Sequence, residues 1–120
     1  MSLEISTQEE SAYLRITLKG EMTLESAEEL GPHLFADGKF LSARRLYDLR
    51  ECVLKADSAQ LKVLANQATR YNLEPSKVAL LVLDDLSFGL SRMYEAIRSA
   101  DNIELNVFKM ESAAIDWLTD

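Results

Sequence analysis

The residues of this sequence that could do chemistry are an acidic pair, a serine beside an aspartate, one histidine and one cysteine. Asp84 and Asp85 follow an apolar run, and carboxylates placed after a strand can hold a magnesium ion. A magnesium site needs further oxygen ligands, and no later predicted strand supplies another aspartate. Asp85 as the cap of the following helix accounts for the pair more simply. We therefore expect no metal and no cofactor.

His33 and Cys52 are each the single residue of their type in the 120-residue chain. Together they provide too few ligands for a structural zinc site. His33 follows Pro32 on a predicted helix, where a structural or solvent-facing role is commoner than that of a general base. Glu51 beside Cys52 favours the protonated thiol, because a neighbouring negative charge raises a thiol pKa. The glycines are scattered and form no phosphate-binding loop. These features predict that the protein is not an enzyme.

Asp57 and Ser58 stand at the start of a predicted helix that runs from Ser58 to about Tyr71. A serine in this place ordinarily caps the helix. The same place also accepts a phosphate group, because free backbone N–H groups and the helix dipole favour negative charge. Phosphorylation of Ser58 would add about −1.5 to −2 of charge and block a docking surface there. Ser58 is thus either a cap or a phospho-acceptor.

The formal net charge of −7 is distributed unevenly along the chain. Residues 1–37 hold eight acidic and two basic side chains, residues 38–77 hold eight basic and four acidic, and residues 78–120 hold eight acidic and three basic. An acidic chain argues against nucleic acid as the main partner. The basic middle segment, residues 38–77, is either a solvated face or a surface that meets an acidic protein partner or a second copy of the chain.

The sequence also bears on location. No apolar run approaches the ~18 residues that a membrane-spanning helix needs, so we expect no membrane span. Residues 1–4 show no signal peptide, and a single cysteine cannot form an internal disulfide. Both features favour the cytoplasm.

Hydrophobic periodicity predicts five strands, of which the first two form a hairpin and the fourth is buried on both faces as in a parallel sheet. Their approximate ranges are 3–5, 13–18, 45–49, 78–83 and 105–108. Gln8 to Glu10 are expected to turn between the first two strands.

Helical spacing predicts four helices. The first covers 24–37, as one helix kinked at Gly31-Pro32 or as two short ones, and the second covers 58–71. The third is opened by Asp84-Asp85 and has Leu86, Leu90, Met93 and Ile97 facing inward, and the fourth covers 112–118. The order β-β-α-β-α-β-α-β-α predicts an α/β fold with a mixed β-sheet, in a single domain over residues 1–120.

The middle of the chain resembles the anti-sigma factor antagonist (STAS) family. Segment 46–49 (Leu-Tyr-Asp-Leu), followed by 57–64 (Asp-Ser-Ala-Gln-Leu-Lys-Val-Leu), is similar to the family's aspartate-containing strand and the Asp-Ser-Ser-Gly-Leu helix start after it. On this resemblance the serine that is phosphorylated in the family falls on Ser58. Alanine and glutamine stand here where the family has its second serine and its glycine.

The second half is similar to a branch of uncharacterised bacterial STAS-like proteins. The similarity lies in segment 77–82, in 88–94 (Phe-Gly-Leu-Ser-Arg-Met-Tyr) and in the tail 106–118, which ends in Ala-Ile-Asp-Trp-Leu. It implies the α/β fold that STAS domains share with CRAL-TRIO lipid-transfer domains. It implies no particular activity.

The 88–94 motif has two interpretations, of which the first is structural. In this interpretation Gly89 lets another part of the chain approach the helix closely, and Leu90 and Met93 enter the core. Arg92 then braces the edge of the sheet or the helix that carries Trp117.

The second interpretation is a ligand site. Asp85, Phe88 and Arg92 follow the fourth strand, and open α/β sheets usually bind ligands at the carboxyl ends of their strands. A small anionic or apolar ligand would suit these side chains.

The sequence therefore predicts a non-catalytic regulatory or protein-interaction module of the STAS-like type. We expect it to dock a protein partner through the surface around Ser58 and the basic middle segment, with a homodimer as a further expectation. The alternative is a protein that binds a small molecule or a lipid-like ligand, and an enzyme is the third hypothesis.

Overall fold

The computed structural model describes residues 3–23, 25, 44–54, 76–98 and 103–120. Their secondary-structure elements are, in chain order, β1 (Glu4–Glu9), β2 (Leu14–Met22), β3 (Arg45–Leu54), β4 (Ser76–Leu81), α1 (Asp85–Arg98), β5 (Ile103–Phe108) and α2 (Glu111–Thr119). The predicted α/β class is confirmed. The helix predicted over 24–37, apart from Glu25, and the helix predicted over 58–71 lie outside the described residues.

The five strands form one mixed sheet in the order β1-β2-β3-β4-β5. β1 pairs with β2 in antiparallel orientation, and β3, β4 and β5 each pair in parallel with the strand before them. The predicted hairpin and the parallel strands after it are therefore confirmed.

The hairpin turn lies later in the chain than predicted. Gln8 and Glu9 continue β1 and pair with β2. The turn is closed where the backbone N–H of Glu10 donates to the carbonyl of Tyr13 at 2.8 Å. The prediction that residues 8–10 form the turn is wrong, because the hydrogen-bonded ladder with β2 overrides the low strand propensity of the polar side chains.

A glycine and a β-bulge let β2 and β3 continue past their predicted ends. Gly20 has φ 108°, a left-handed conformation that other residues rarely adopt. β3 carries one extra residue between its pairings with Thr17 and Lys19 of β2. Cys52, predicted to follow the strand, consequently lies within it, opposite Gly20.

Apolar side chains cover both faces of the sheet, and each described helix packs on a different face. Phe88 and Tyr94 of α1 pack on one face, whose buried side chains are Leu14, Ile16, Leu18, Leu49, Cys52, Val78, Leu80, Val82 and Val107. Ala114 and Leu118 of α2 pack on the other face, with Leu46, Ala79 and Leu81. β4 contributes to both faces in alternation, which confirms the prediction drawn from its continuous apolar run.

Two side chains predicted for the core are exposed. Leu83, expected as the last residue of the buried strand, is 67% exposed because β4 ends two residues earlier. Met93 is 41% exposed. Phe88, Ser91 and Tyr94, spaced at three residues, lie at least partly buried on α1. Ser91 carries no apolar signal, so hydrophobic spacing could not predict its burial.

We expect Gly89→Ala to raise the free energy of unfolding by about 0.5–1 kcal/mol, because glycine in a helix is less stable than alanine. Gly89 lies inside α1, and a Cβ added there meets no atom of the described residues within 4 Å. Among the described residues, none makes the predicted close approach to Gly89. Urea denaturation followed by circular dichroism measures the change.

Gly20→Ala provides the matched control, since the same substitution should have the opposite sign there. The positive φ of Gly20 is strained for alanine, which we expect to cost about 1–2 kcal/mol. A loss of stability at Gly89 as well would mean that a neighbouring group does contact that position.

Candidate functional site

The parallel strands β2 to β5 end at one side of the sheet, which we call the carboxyl edge. Asp85 begins α1 shortly after β4, and Glu111 begins α2 shortly after β5. The first turns of both helices therefore lie at this edge. Open parallel sheets usually bind ligands there, so the carboxyl edge is the candidate functional site of this chain.

Four charged side chains, three within strands and one at the start of α2, form a continuous set of ion pairs, the charge network: Arg15 of β2, Asp48 and Arg50 of β3, and Glu111 of α2. Arg15 donates from Nη1 to Asp48 Oδ2 at 3.0 Å and from Nη2 to Glu111 Oε1 at 2.7 Å. Arg50 donates from Nη2 to the same two oxygens, at 2.8 Å for Asp48 and 3.0 Å for Glu111. The network ties two strands to the start of α2.

The β-bulge in β3 helps to position Arg50. Its backbone N–H donates to Asp48 Oδ1 at 3.2 Å, and its Nε donates to the same oxygen at 3.0 Å. Bulges commonly redirect a side chain in this way. Asp48 is 8% exposed, and the hydrogen bonds from Arg50 lower the pKa of its carboxyl group despite burial, which acts in the opposite direction.

The charge network was not predicted from the sequence. Its members are separated along the chain, with Arg15 and Glu111 96 residues apart. The sequence did point to one member of the network, Asp48, which is the aspartate of the Leu-Tyr-Asp-Leu segment at 46–49. The sequence alone did not reveal which side chains it would meet.

A second group at the carboxyl edge joins α1 to the end of β5. Lys109 donates from Nζ to Asp85 Oδ1, and the same nitrogen lies 5.2 Å from the centre of the Phe88 ring. α1 begins at Asp85, so the residue in the cap position is Asp84, whose carbonyl accepts from the Phe88 N–H at 2.9 Å. The predicted capping role of Asp85 is therefore wrong.

Trp117 lies away from the other residues of the predicted ligand or bracing set. It packs on the α2 face of the sheet, with its ring centre 5.6 Å from that of Phe108 and 4.6 Å from Lys77 Nζ. Asp85, Phe88, Gly89 and Arg92 belong to α1, which packs on the opposite face. The structure thus brings Asp85 and Phe88 together near Lys109, but it does not gather all five residues at one place.

Cys52 is buried, and burial raises the pKa of its thiol to about 11. The main cause is desolvation by the core rather than the neighbouring Glu51 that the sequence indicated. A thiol in this state is a poor nucleophile at neutral pH.

Asp57, Ser58 and His33 lie outside the described residues. Within the described ranges, no group of three histidine, cysteine, aspartate or glutamate side chains is arranged to hold a metal ion. In the same parts of the chain, every helix is too short or too polar to cross a lipid bilayer.

Comparisons with known proteins point to a fold. No protein-family model matches the sequence, and no curated protein matches it. A match among solved structures is the crystal structure of an uncharacterised protein of the DUF3478 family, with a SpoIIAA-like fold, from Shewanella loihica PV-4. The two chains are 20% identical with a TM-score of 0.60, and the match covers 98% of this chain and 94% of the other. The chain therefore has a SpoIIAA-like fold of the STAS type.

Proposed function

We propose that this protein is a non-catalytic regulatory module that acts by binding another protein. The observation that carries the proposal is the charge network. Through Glu111 it reaches the carboxyl edge, where α/β proteins usually place the groups that bind or transform a ligand. Here the polar side chains of Arg15, Asp48, Arg50 and Glu111 are hydrogen-bonded to one another.

The pKa shifts of Asp48 and Cys52 support a non-catalytic role. A general acid or base works best with a pKa near the operating pH. The pKa of Asp48 is lowered by its hydrogen bonds with Arg50, which takes it further from neutrality. The buried thiol of Cys52 is shifted in the other direction, also away from neutrality. Each shift favours a structural role over proton transfer or nucleophilic attack.

The SpoIIAA-like fold supports a regulatory role by analogy, because folds alone do not determine function. The sequence resemblance places Ser58 at the position that the STAS family phosphorylates. A phosphate group there would reduce the positive charge of the basic middle segment, residues 38–77, in which eight basic side chains face four acidic ones. Binding of an acidic partner would weaken as a result.

Affinity capture from the native organism tests the proposal, with the tagged full-length chain as bait. We expect a protein partner that is recovered reproducibly by the wild type and by Ser58→Ala but weakly by Ser58→Asp. Ser11→Asp is the matched control: Ser11 is exposed in the turn between β1 and β2, and the added charge is the same.

Two outcomes would contradict different parts of the proposal. Equal capture by wild type and Ser58→Asp would reject the phosphorylation switch but leave the binding module intact. Failure to recover any recurrent protein would count against the module itself. Native mass spectrometry of freshly purified protein tests the ligand-binding alternative, since a persistent added mass would replace the proposed function with that of a small-molecule or lipid-like binder.

A further inference from the structure

Asn106 is an uncommon residue type for the middle of β5. Asparagine is depleted in strands, yet Asn106 lies inside the six-residue strand Ile103–Phe108, in which every other residue except Glu104 is apolar. β5 is also the last strand of the sheet that the described residues form. The side of such a strand that faces away from its neighbour, here called the outer edge of β5, carries backbone groups with which a strand of another chain could pair.

The hydrogen bonds between β4 and β5 determine which backbone groups of β5 point to the outer edge. The N–H of Val82, just after β4, donates to the carbonyl of Phe108 at 2.9 Å, so the backbone groups of Phe108 point toward β4. Successive residues of a strand direct their backbone groups to opposite sides. The N–H of Val107 therefore points away from β4, to the outer edge.

The side chain of Asn106 hydrogen-bonds to this outward N–H. The backbone N–H of Val107 donates to Asn106 Oδ1 at 2.9 Å, in a partly buried bond. Asparagine side chains can compete in this way with the hydrogen bonds of a sheet. A strand that approached the outer edge of β5 would have to displace the amide oxygen of Asn106 before its own carbonyl could accept from Val107.

We propose that Asn106 blocks the outer edge of β5 against the addition of a strand from another chain. Natural proteins commonly protect their edge strands, because an open edge is a template for pairing between chains. Short apolar segments with high strand propensity are the ones most prone to such pairing, and β5 without Asn106 would be of this kind. The inference goes beyond the proposed function, because it concerns a side of the sheet that a partner strand cannot use.

Amide hydrogen exchange, measured by NMR on the full-length chain, tests the hydrogen bond itself. We expect Asn106→Ala to lower the protection factor of the Val107 N–H roughly tenfold, because the acceptor is lost. Asn106→Asp keeps an acceptor oxygen and should keep Val107 protected. The N–H of Phe108 points toward β4, so its protection should stay unchanged in both variants and provides the internal control.

Sedimentation velocity from micromolar to near-millimolar concentration tests the consequence for association. We expect Asn106→Val to form larger species than the wild type at the same concentration, because valine leaves the Val107 N–H open and favours strand pairing. Ser112→Val is the matched control, since Ser112 is exposed on α2 and the added side chain is the same. This control should sediment like the wild type.

Two results would overturn the inference: a Val107 N–H that is equally protected in wild type and Asn106→Ala, or an Asn106→Val chain that associates no more than the wild type. Circular dichroism shows whether Asn106→Val folds; if it does not, Asn106→Ala takes its place in the sedimentation comparison with the same expected result. Either failure leaves the proposed function untouched, because capture of a different protein is measured separately.

Discussion

Asp48→Asn is expected to lower the free energy of unfolding at pH 7 by about 2–3 kcal/mol. Asp48 is buried and accepts hydrogen bonds from both Arg15 and Arg50. Asparagine has nearly the same shape but no charge, and its amide group donates where a guanidinium also donates. Arg50 is partly exposed, so water can replace some of what is lost. That solvation keeps the effect below the ~3–5 kcal/mol found when a fully buried ion pair is broken.

Urea denaturation at pH 7 measures this change in stability. Asp116→Asn on α2 is the matched control, because Asp116 is exposed and surface substitutions usually change stability by less than about 0.5 kcal/mol. Similar effects for the two substitutions would contradict a stabilising role for the charge network.

The effect of Asp48→Asn should depend on pH with a definite sign. Hydrogen bonds from Arg50 hold the folded-state pKa of Asp48 below its ordinary value of 3.8. The contribution to stability is therefore complete above that ordinary value and is lost as pH falls through the lower folded-state pKa. We expect the gap between wild type and Asp48→Asn to be constant near neutrality and to shrink below about pH 4. A gap that persists unchanged into strong acid would show that the charge of Asp48 is not its source.

Leu118→Ala is expected to cost about 3 kcal/mol of unfolding free energy. Leu118 is fully buried where α2 meets the sheet, among Leu46 and Leu81. The substitution removes apolar contacts and leaves a cavity, and both effects are destabilising. α2 has only nine residues, and so short a helix is marginal without packing. Loss of the Leu118 side chain should also weaken the packing of α2 on the sheet. Glu111, which α2 contributes to the charge network, would then be held less firmly in position.

Leu83→Ala is the matched control for this substitution. It removes the same atoms from a side chain that is 67% exposed, so stability measured at low protein concentration should change by less than about 0.5 kcal/mol. Comparable losses at both positions would mean that Leu83 is packed rather than exposed. Thermal and urea unfolding of the two variants side by side provide the measurement.

The sequence predicted the elements whose signal is local. Alternation over residues 13–18 predicted β2, and the continuous apolar run at 78–83 predicted a strand covered on both faces; the structure confirms both assignments. Such patterns work because side chains of a strand point alternately to its two faces, whatever the rest of the chain does. The resemblance of segments 46–49 and 57–64 to the STAS family likewise indicated the fold that the structural comparison supports.

The errors arose where the environment of a residue depends on another segment. The sequence pattern predicted Leu83 and Met93 in the core, but both side chains are exposed. A strand ends where its neighbour stops pairing, and the buried side of a helix depends on how the helix packs against the sheet. Ser91, which carries no apolar signal, is buried on α1 instead. Gly20 and the bulge in β3 extended two strands, because pairing over their full length satisfies the backbone.

From the sequence by itself came the α/β class, the hairpin and the apolar composition of the sheet. Each of these follows from neighbouring residues, since backbone geometry repeats over a few positions. Only the tertiary structure decided which charges meet. Arg15, Asp48, Arg50 and Glu111 come together because β2 and β3 pair side by side and α2 begins close to them. Ion pairing depends on distance in space, and the residues that supply one pair here stand 96 positions apart in the chain.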